Sequence, residues 1–197
     1  MTHAFFKALL FLGAGSVMHG MNDQVNMRRF GGLRSVMAIT TATFGLGYLA
    51  IIGIPPLAGY FTKDLIIESA LARSPIIGGL AIIGAGLTAF YMSRIFFMTF
   101  IGKKRWTEDV HPHESPWSMT VPMLVLAIGS VASGYLLMRD YTLEKWLEPV
   151  TGFVEPEISL SHVVVTSITL TSVAVGIIAA ILLYLRRDVP QAAPEKV

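Results

Sequence analysis

Ionisable residues lie inside apolar stretches of this chain, where a lipid environment would oppose their charges. A charge near the centre of a bilayer costs about 3 kcal/mol or more, so such residues normally face protein or water and mark routes for ions or protons. Histidine titrates near neutral pH, and a buried lysine can take up or release a proton when a partner charge moves. These residue types predict an acid-base relay within a membrane. The ionisable residues inside the apolar stretches are His3, Lys7, Lys63, Asp64 and Arg94.

His3 and Lys7 are four residues apart, so a helix places them on one face, one turn apart. From Lys7 to the polar Asn22 a helix rises about 22 Å, which puts Lys7 near the middle of the membrane. We predict that both side chains face protein and form two steps of a proton relay. The alternative is that Lys7 snorkels to the membrane surface and His3 only caps a helix end. Because only six residues precede Lys7, we expect the chain to be a fragment of a longer membrane protein.

Lys63 and Asp64 are neighbours that point about 100° apart around a helix, so each is expected to contact a different partner. Glu68, one turn beyond Asp64, extends the acidic face. Lys63 follows Pro55-Pro56 by about two turns, and a break in mid-membrane is tolerated only where the freed backbone groups meet protein or water. These observations predict a hydrated ion path beside the break. The alternative is that the segment after the break is only the interfacial end of a helix.

Two other groups of polar residues are less specific. Arg94 always carries its charge, so it can bias a proton without carrying one, and snorkelling is the alternative. His111, His113 and Glu114 resemble a metal cluster by composition, but the polar loop around them favours a solvated surface. The sequence has no cysteine, no phosphate loop and no dinucleotide fingerprint, so we expect neither a cofactor nor a metal, and no nucleic-acid partner.

The composition determines the class of protein. Of 197 residues, 53% are hydrophobic and 14% charged, a balance that predicts an all-α integral membrane protein with about five transmembrane helices. We assign residues 1–185 to this helical domain and residues 186–197 to a cytoplasmic tail or linker. The acidic stretch 139–161 suits a short interfacial helix and a loop on the outer side. The apolar stretches are 4–21, 36–54, 57–72, 76–101, 118–138 and 162–185.

The second transmembrane helix is expected to be broken. As one straight helix, residues 36–72 would be about 55 Å long, well beyond a hydrocarbon core of about 30 Å, and proline interrupts the helix at Pro55-Pro56. One interrupted crossing gathers most basic residues on one side of the membrane, whereas two crossings would divide them. The positive-inside rule therefore favours a single broken helix, with the loops 22–35 and 102–117 and the C-terminus in the cytoplasm.

Several strings in the chain together carry a family signature. THAFFKALLFL stands at 2–12, GSVMH at 15–19, GGL at 31–33 and PPLAGYFTKD at 55–64. They resemble the antiporter-like L subunits of bacterial NADH:quinone oxidoreductase, respiratory complex I. The His-x-x-x-Lys element separates this family from its sister M and N subunits. The resemblance covers most of the chain and is strongest over 2–72.

The resemblance implies proton translocation across the bacterial plasma membrane, coupled to NADH:quinone electron transfer in other subunits. The chain would then be a non-redox, proton-pumping part of a translocase. The implied partners are other complex I membrane subunits, including an M-type antiporter-like neighbour, together with the remainder of the same subunit and lipid. Because the family's preceding helices, with their Glu-Lys pair and input half-channel, are absent, we expect that these residues do not translocate protons alone.

The resemblance also implies roles for individual residues. His3 and Lys7 would belong to the second half-channel and the central polar axis. Lys63 would be the proton-binding lysine of the broken helix, with Asp64 beside it. Independently of the resemblance, the positions of Glu68 and Arg94 in the sequence lead us to expect that they modulate these groups.

Two other functions remain open on the sequence. A large subunit of an Mrp-type Na⁺/H⁺ antiporter would use the same fold and relay without redox chemistry, and a structural scaffold subunit would pair its charges only for packing. The dipeptides Phe5-Phe6 and Ser16-Val17 favour complex I. Co-purifying flavin and iron-sulfur proteins would decide for complex I, and a small set of hydrophobic chains would favour an antiporter.

Overall fold

A computed structural model describes residues 2–138, 142–152 and 161–187 of the chain. Within these ranges the chain is helical and has no β-strand, so the all-α fold class is confirmed. The helices are α1 (Thr2–Gly20), α2 (Ala38–Ile52), α3 (Ala58–Arg73), α4 (Pro75–Phe96), α5 (Trp117–Met138), α6 (Thr142–Thr151) and α7 (His162–Ala180). Helices α4 and α7 each continue into a π-helical turn, Phe97–Ile101 and Ile181–Leu185 respectively.

Within the described part of the chain, three helices are long and apolar enough to cross a membrane. They are Pro75–Ile101, Trp117–Leu137 and His162–Leu185. Helix α6 is the short helix predicted for the acidic stretch, of which residues 139–141 and 153–160 lie outside the described part. The division of the chain at residue 186 stays a prediction, because residues 188–197 also lie outside it.

Helices α2 and α3 run in the same direction and form one interrupted helix. Midway along α2, the Phe44 ring lies 5.3 Å from that of Phe100, in the π-helical turn that follows α4. In the last turn of α3, Leu71 packs against Gly78 near the start of α4. The contact made by α2 lies just beyond the C-terminal end of α4, and the contact made by α3 lies near the N-terminal end of α4. Both halves therefore run antiparallel to α4. The prediction of a single broken helix is therefore confirmed.

The break brings the two halves into close contact. Helix α2 ends at Gly53, which adopts a left-handed φ of 83° and donates its N–H to the Ala50 carbonyl. Pro55 and Pro56 follow, and neither can donate a backbone hydrogen bond. In the first turn of α3, a Cβ at Gly59 would overlap the Ala50 carbonyl. A glycine at position 59 therefore allows α3 to begin directly against the last turn of α2.

The two loops at 22–35 and 102–117, called the basic loops below, lie at the same end of the bundle. The Arg105 guanidinium donates to the Met98 carbonyl at 2.6 Å and to the Arg28 carbonyl at 3.0 Å. The indole N–H of Trp106 donates to the Gly31 carbonyl at 3.1 Å. Burial lowers the pKa of Arg105 from its ordinary value. These contacts place both loops at one end of the bundle, as the prediction of a single broken helix requires.

Helix α1 runs antiparallel to α2 and reaches the break. The Ser16 hydroxyl hydrogen-bonds the Thr40 hydroxyl at 2.7 Å, near the loop end of the bundle. Towards the other end of α1, Phe6 lies against Gly59. The first turns of α1 are therefore positioned beside the first turn of α3.

Helix α7 runs parallel to α4. The Ser172 hydroxyl donates to the Ile82 carbonyl at 3.0 Å, and Tyr184 lies beside Arg94 further along both helices. His162 therefore begins α7 at the end of the bundle where α3 stops. That end is opposite the basic loops.

Glu114 caps the start of α2 from the second basic loop. Its carboxylate accepts the backbone N–H groups of Ile39 at 2.7 Å and Thr40 at 3.2 Å, and also the Thr40 hydroxyl. The first N–H groups of a helix lack partners within the helix, and a negative charge there is favourable. The sequence predicts that His111, His113 and Glu114 form a solvated surface. For Glu114 that prediction is wrong.

Replacing Glu114 by alanine is expected to destabilise the protein by about 1–2 kcal/mol, the usual cost of losing a helix cap. Thermal unfolding in detergent measures the effect. Glu108→Ala is the matched control, because Glu108 is an exposed carboxylate of the same loop. Equal melting temperatures for the two variants would show that the cap contributes nothing to stability.

Candidate functional site

His3, Lys7 and Lys63 line one groove between α1, α3 and α4. The groove has a volume of about 410 Å³. The rest of its lining consists of apolar, glycine and hydroxyl side chains, such as Phe6 and Thr62, and the described lining residues include no carboxylate. Residues from two distant segments of the sequence thus meet beside the break. The groove concentrates titratable cations in apolar surroundings, which is the arrangement that a proton relay needs.

The ammonium group of Lys63 is held by the broken helix itself. Lys63 is half-buried, and its Nζ donates to the Ile51 carbonyl at 3.0 Å. In a continuous helix that carbonyl would accept the N–H of residue 55, and Pro55 has none. The C-terminal end of a helix also carries a partial negative charge. The proline break therefore creates the acceptor that binds the Lys63 charge.

His3 and Lys7 are exposed on the same face of α1, as their spacing predicts. The His3 ring packs edge-on against Phe6, with 4.9 Å between the ring centroids. Within the described residues, the Lys7 ammonium forms no hydrogen bond and no ion pair. The structure brings both residues to the groove of Lys63. Their roles as relay groups stay a prediction.

Asp64 and Glu68 face α7 rather than the groove. The Thr166 hydroxyl donates to Asp64 Oδ2 at 2.8 Å, and His162 Nδ1 pairs with Glu68 Oε1. Both carboxylates are buried, with 5% of Asp64 and 9% of Glu68 exposed. Lys63 and Asp64 therefore contact different partners, and that expectation is confirmed.

His162 and Thr166 are polar partners that are not predicted from the sequence. They are one turn apart on α7, and Asp64 and Glu68 are one turn apart on α3. Because the two helices are antiparallel, both pairs meet in register. A histidine and a threonine on one face at the start of an apolar stretch were the signal in the sequence. The partner helix could be identified only from the packing.

Arg94 is not part of the groove lining. Its guanidinium carbon lies 5.2 Å from the centre of the Tyr184 ring, a distance at which a cation is attracted to the ring face. Arg94 Nε is buried and has no hydrogen-bond partner within the described residues. A role for Arg94 in modulating the site stays a prediction. Among the described residues, no group of three or more His, Cys, Asp or Glu side chains could hold a metal ion.

Several known proteins are similar in sequence to this chain. Residues 1–90 match a family model described as NADH:quinone oxidoreductase/Mrp antiporter, TM. The whole chain is 53% identical to NADH-quinone oxidoreductase subunit L of Mycobacterium tuberculosis and covers 32% of that protein. Over 74% of the chain and 22% of the relative, it is 43% identical to subunit L of Rhodobacter capsulatus. Over 69% of the chain and 25% of the relative, it is 45% identical to NAD(P)H-quinone oxidoreductase chain 5 of Picosynechococcus. The chain thus spans about a third or less of the length of these relatives.

Proposed function

We propose, because the chain belongs to the family of antiporter-like membrane subunits found in NADH:quinone oxidoreductase and Mrp antiporters, that it forms part of a proton-translocating subunit of a bacterial NADH:quinone oxidoreductase. In this proposal, electrons pass from NADH to quinone in other subunits, and this chain provides part of the proton path through the membrane. The observation that carries it is the groove in which His3 and Lys7 face Lys63, whose charge is bound at the end of a broken helix.

In the proposed mechanism, Lys63 holds a proton that the neighbouring groups control. The Ile51 carbonyl stabilises the ammonium form by direct hydrogen bonding. Protonation of Lys7 in the same apolar groove brings a second positive charge near Lys63, and the repulsion favours release of one proton. His3, one turn from Lys7, passes protons to and from it. Asp64 lies behind Lys63 on the α7 side and accepts the released proton.

The proposal places the chain in a bacterial plasma membrane with other subunits around it. The positive-inside rule puts the loops 22–35 and 102–117 and the C-terminus in the cytoplasm. The proposed partners are other complex I membrane subunits, including an M-type antiporter-like neighbour, the remainder of the same subunit, and lipid. The chain itself is proposed to bind no cofactor and no metal.

A second candidate function is cation/proton exchange in an Mrp-type antiporter, because the matching family model covers both kinds of protein. The groove would serve either function, since a lysine relay does not depend on redox chemistry.

Purification of the native complex from membranes, through a tag on this subunit, separates the two candidate functions. We expect flavin and iron-sulfur proteins to co-purify, and we expect the complex in proteoliposomes to translocate protons when NADH is oxidised. A complex that lacks redox subunits and exchanges sodium for protons without NADH would contradict the proposal and support the antiporter.

A further inference from the structure

We propose that Glu68 and His162 form the group that releases protons from the Lys63 site to water at the end of the bundle opposite the basic loops. This inference rests on the proposed function of Lys63 and extends it by assigning the last step of the path. It also assigns a role to a histidine that lies about one hundred residues from the lysine in the sequence.

Polar groups follow one another along the contact between α3 and α7. Asp64 follows Lys63 directly, and Glu68 lies one turn further towards the end of α3. Thr166 binds Asp64, and His162 binds Glu68, so each carboxylate has a polar partner on α7. Within the described helices that pack here, these contacts form one line from the break to the helix end.

The exposure of the side chains changes along this line of polar groups. The Glu68 side chain is 12% exposed, whereas the His162 side chain is 61% exposed. A buried carboxylate thus contacts an imidazole that water can reach. Histidine is the side chain whose ordinary pKa lets it accept and lose a proton near neutral pH. The pair therefore joins the interior of the bundle to its surface.

Among the described residues of the helices that pack here, few other titratable groups lie near this pair. On α3 the titratable groups near this end are Asp64 and Arg73, and the described part of α7 has no other titratable group before Tyr184. In the half of α4 that begins at this end, no residue before Tyr91 is titratable. Helix α5, which also packs against α3, carries Tyr135 as its titratable group near this end. On these helices, His162 is the titratable group that both contacts Glu68 and is exposed.

The proposed step conserves protons and charge. A protonated Glu68 carboxyl gives its proton to Nδ1 of neutral His162, which forms a carboxylate and an imidazolium held together as an ion pair. The imidazolium then loses the proton on Nε2 to water. The neutral ring that remains carries its proton on Nδ1, and exchange with water returns it to the tautomer that can accept again. The net result is one proton moved from Glu68 to the aqueous side.

A structural role for the pair is the competing explanation, because a Glu-His contact could simply hold α7 against α3. His162→Gln distinguishes the two roles. Glutamine can still hydrogen-bond Glu68 but cannot carry a proton. If the pair only joins the helices, this variant should pump normally. If His162 releases protons, the variant should assemble and pump poorly.

The experiment measures protons released per NADH oxidised by the whole complex in proteoliposomes, at a series of pH values in the release compartment. We expect His162→Gln and Glu68→Gln each to lower the ratio severalfold, and Val163→Ala, a change at an exposed neighbour, to leave it unchanged. In the unmodified complex, release should slow as the release compartment is acidified, because an imidazolium cannot accept a further proton. His162→Gln should remove that dependence, which a purely structural contact would not produce.

A normal ratio and an unchanged pH profile in His162→Gln would overturn the inference. Lys63→Arg, measured in parallel, separates this failure from a failure of the proposed function. If Lys63→Arg loses pumping while His162→Gln keeps it, Lys63 is a proton carrier and protons leave by another route. If both variants pump normally, the proposed function fails together with the inference. Flavin content normalises each measurement to the amount of assembled complex.

Discussion

Lys63→Arg is expected to leave the complex assembled and to slow proton transfer through this site by roughly a hundredfold or more, the usual contribution of a general acid or base. A guanidinium keeps the positive charge and can still donate to the Ile51 carbonyl, but it does not release its proton at any physiological pH. Protons translocated per NADH oxidised should therefore fall severalfold. The NADH oxidation rate measured with an uncoupler reports whether the redox subunits still function.

Two further variants complete this test. Lys63→Met removes the titrating group and keeps a helix-forming residue, so it should also assemble and fail to pump. Lys104→Arg, at an exposed lysine of a basic loop, is the matched control and should pump normally. A normal ratio of protons to electrons in Lys63→Arg would show that Lys63 is not a proton carrier. Its charge would then serve only to satisfy the broken helix, as in a scaffold subunit.

Gly59→Ala is expected to destabilise the helix break, whereas the same substitution at Gly79 should be harmless. A Cβ at residue 59 would overlap the Ala50 backbone carbonyl, which cannot move aside as a flexible side chain could. Adding a methyl group to a tightly packed contact typically costs about 1–3 kcal/mol. At residue 79, within α4, a Cβ meets no atom within 4 Å. Alanine there should stabilise the helix by about 1 kcal/mol.

Thermal unfolding of the detergent-solubilised protein measures both changes, and they should have opposite signs. The Gly59→Ala protein should also lose pumping, because moving α3 away from α2 separates Lys63 from the Ile51 carbonyl. Equal melting temperatures in the two variants would mean that the halves of the broken helix are not held in contact at residue 59.

The sequence by itself determined the helical class, the position of the break and the gathering of the basic loops at one end. These features follow from rules that act along the chain. Proline at 55 and 56 cannot donate a backbone hydrogen bond in any fold, and long apolar stretches must become helices in a membrane. The angle between Lys63 and Asp64 around one helix was equally predictable, because it depends only on helical geometry.

Only the tertiary structure decided which groups meet. Pro55 leaves the Ile51 carbonyl without its helical partner, but the turn after Gly53 decides that Lys63 reaches it. The pairing of Glu68 with His162 joins positions 94 residues apart. Helical periodicity tells which face of a helix is polar, yet it does not tell which other helix covers that face or in which register. The choice among helices depends on packing between side chains and on close approaches such as that at Gly59, which arise only when all the helices are assembled.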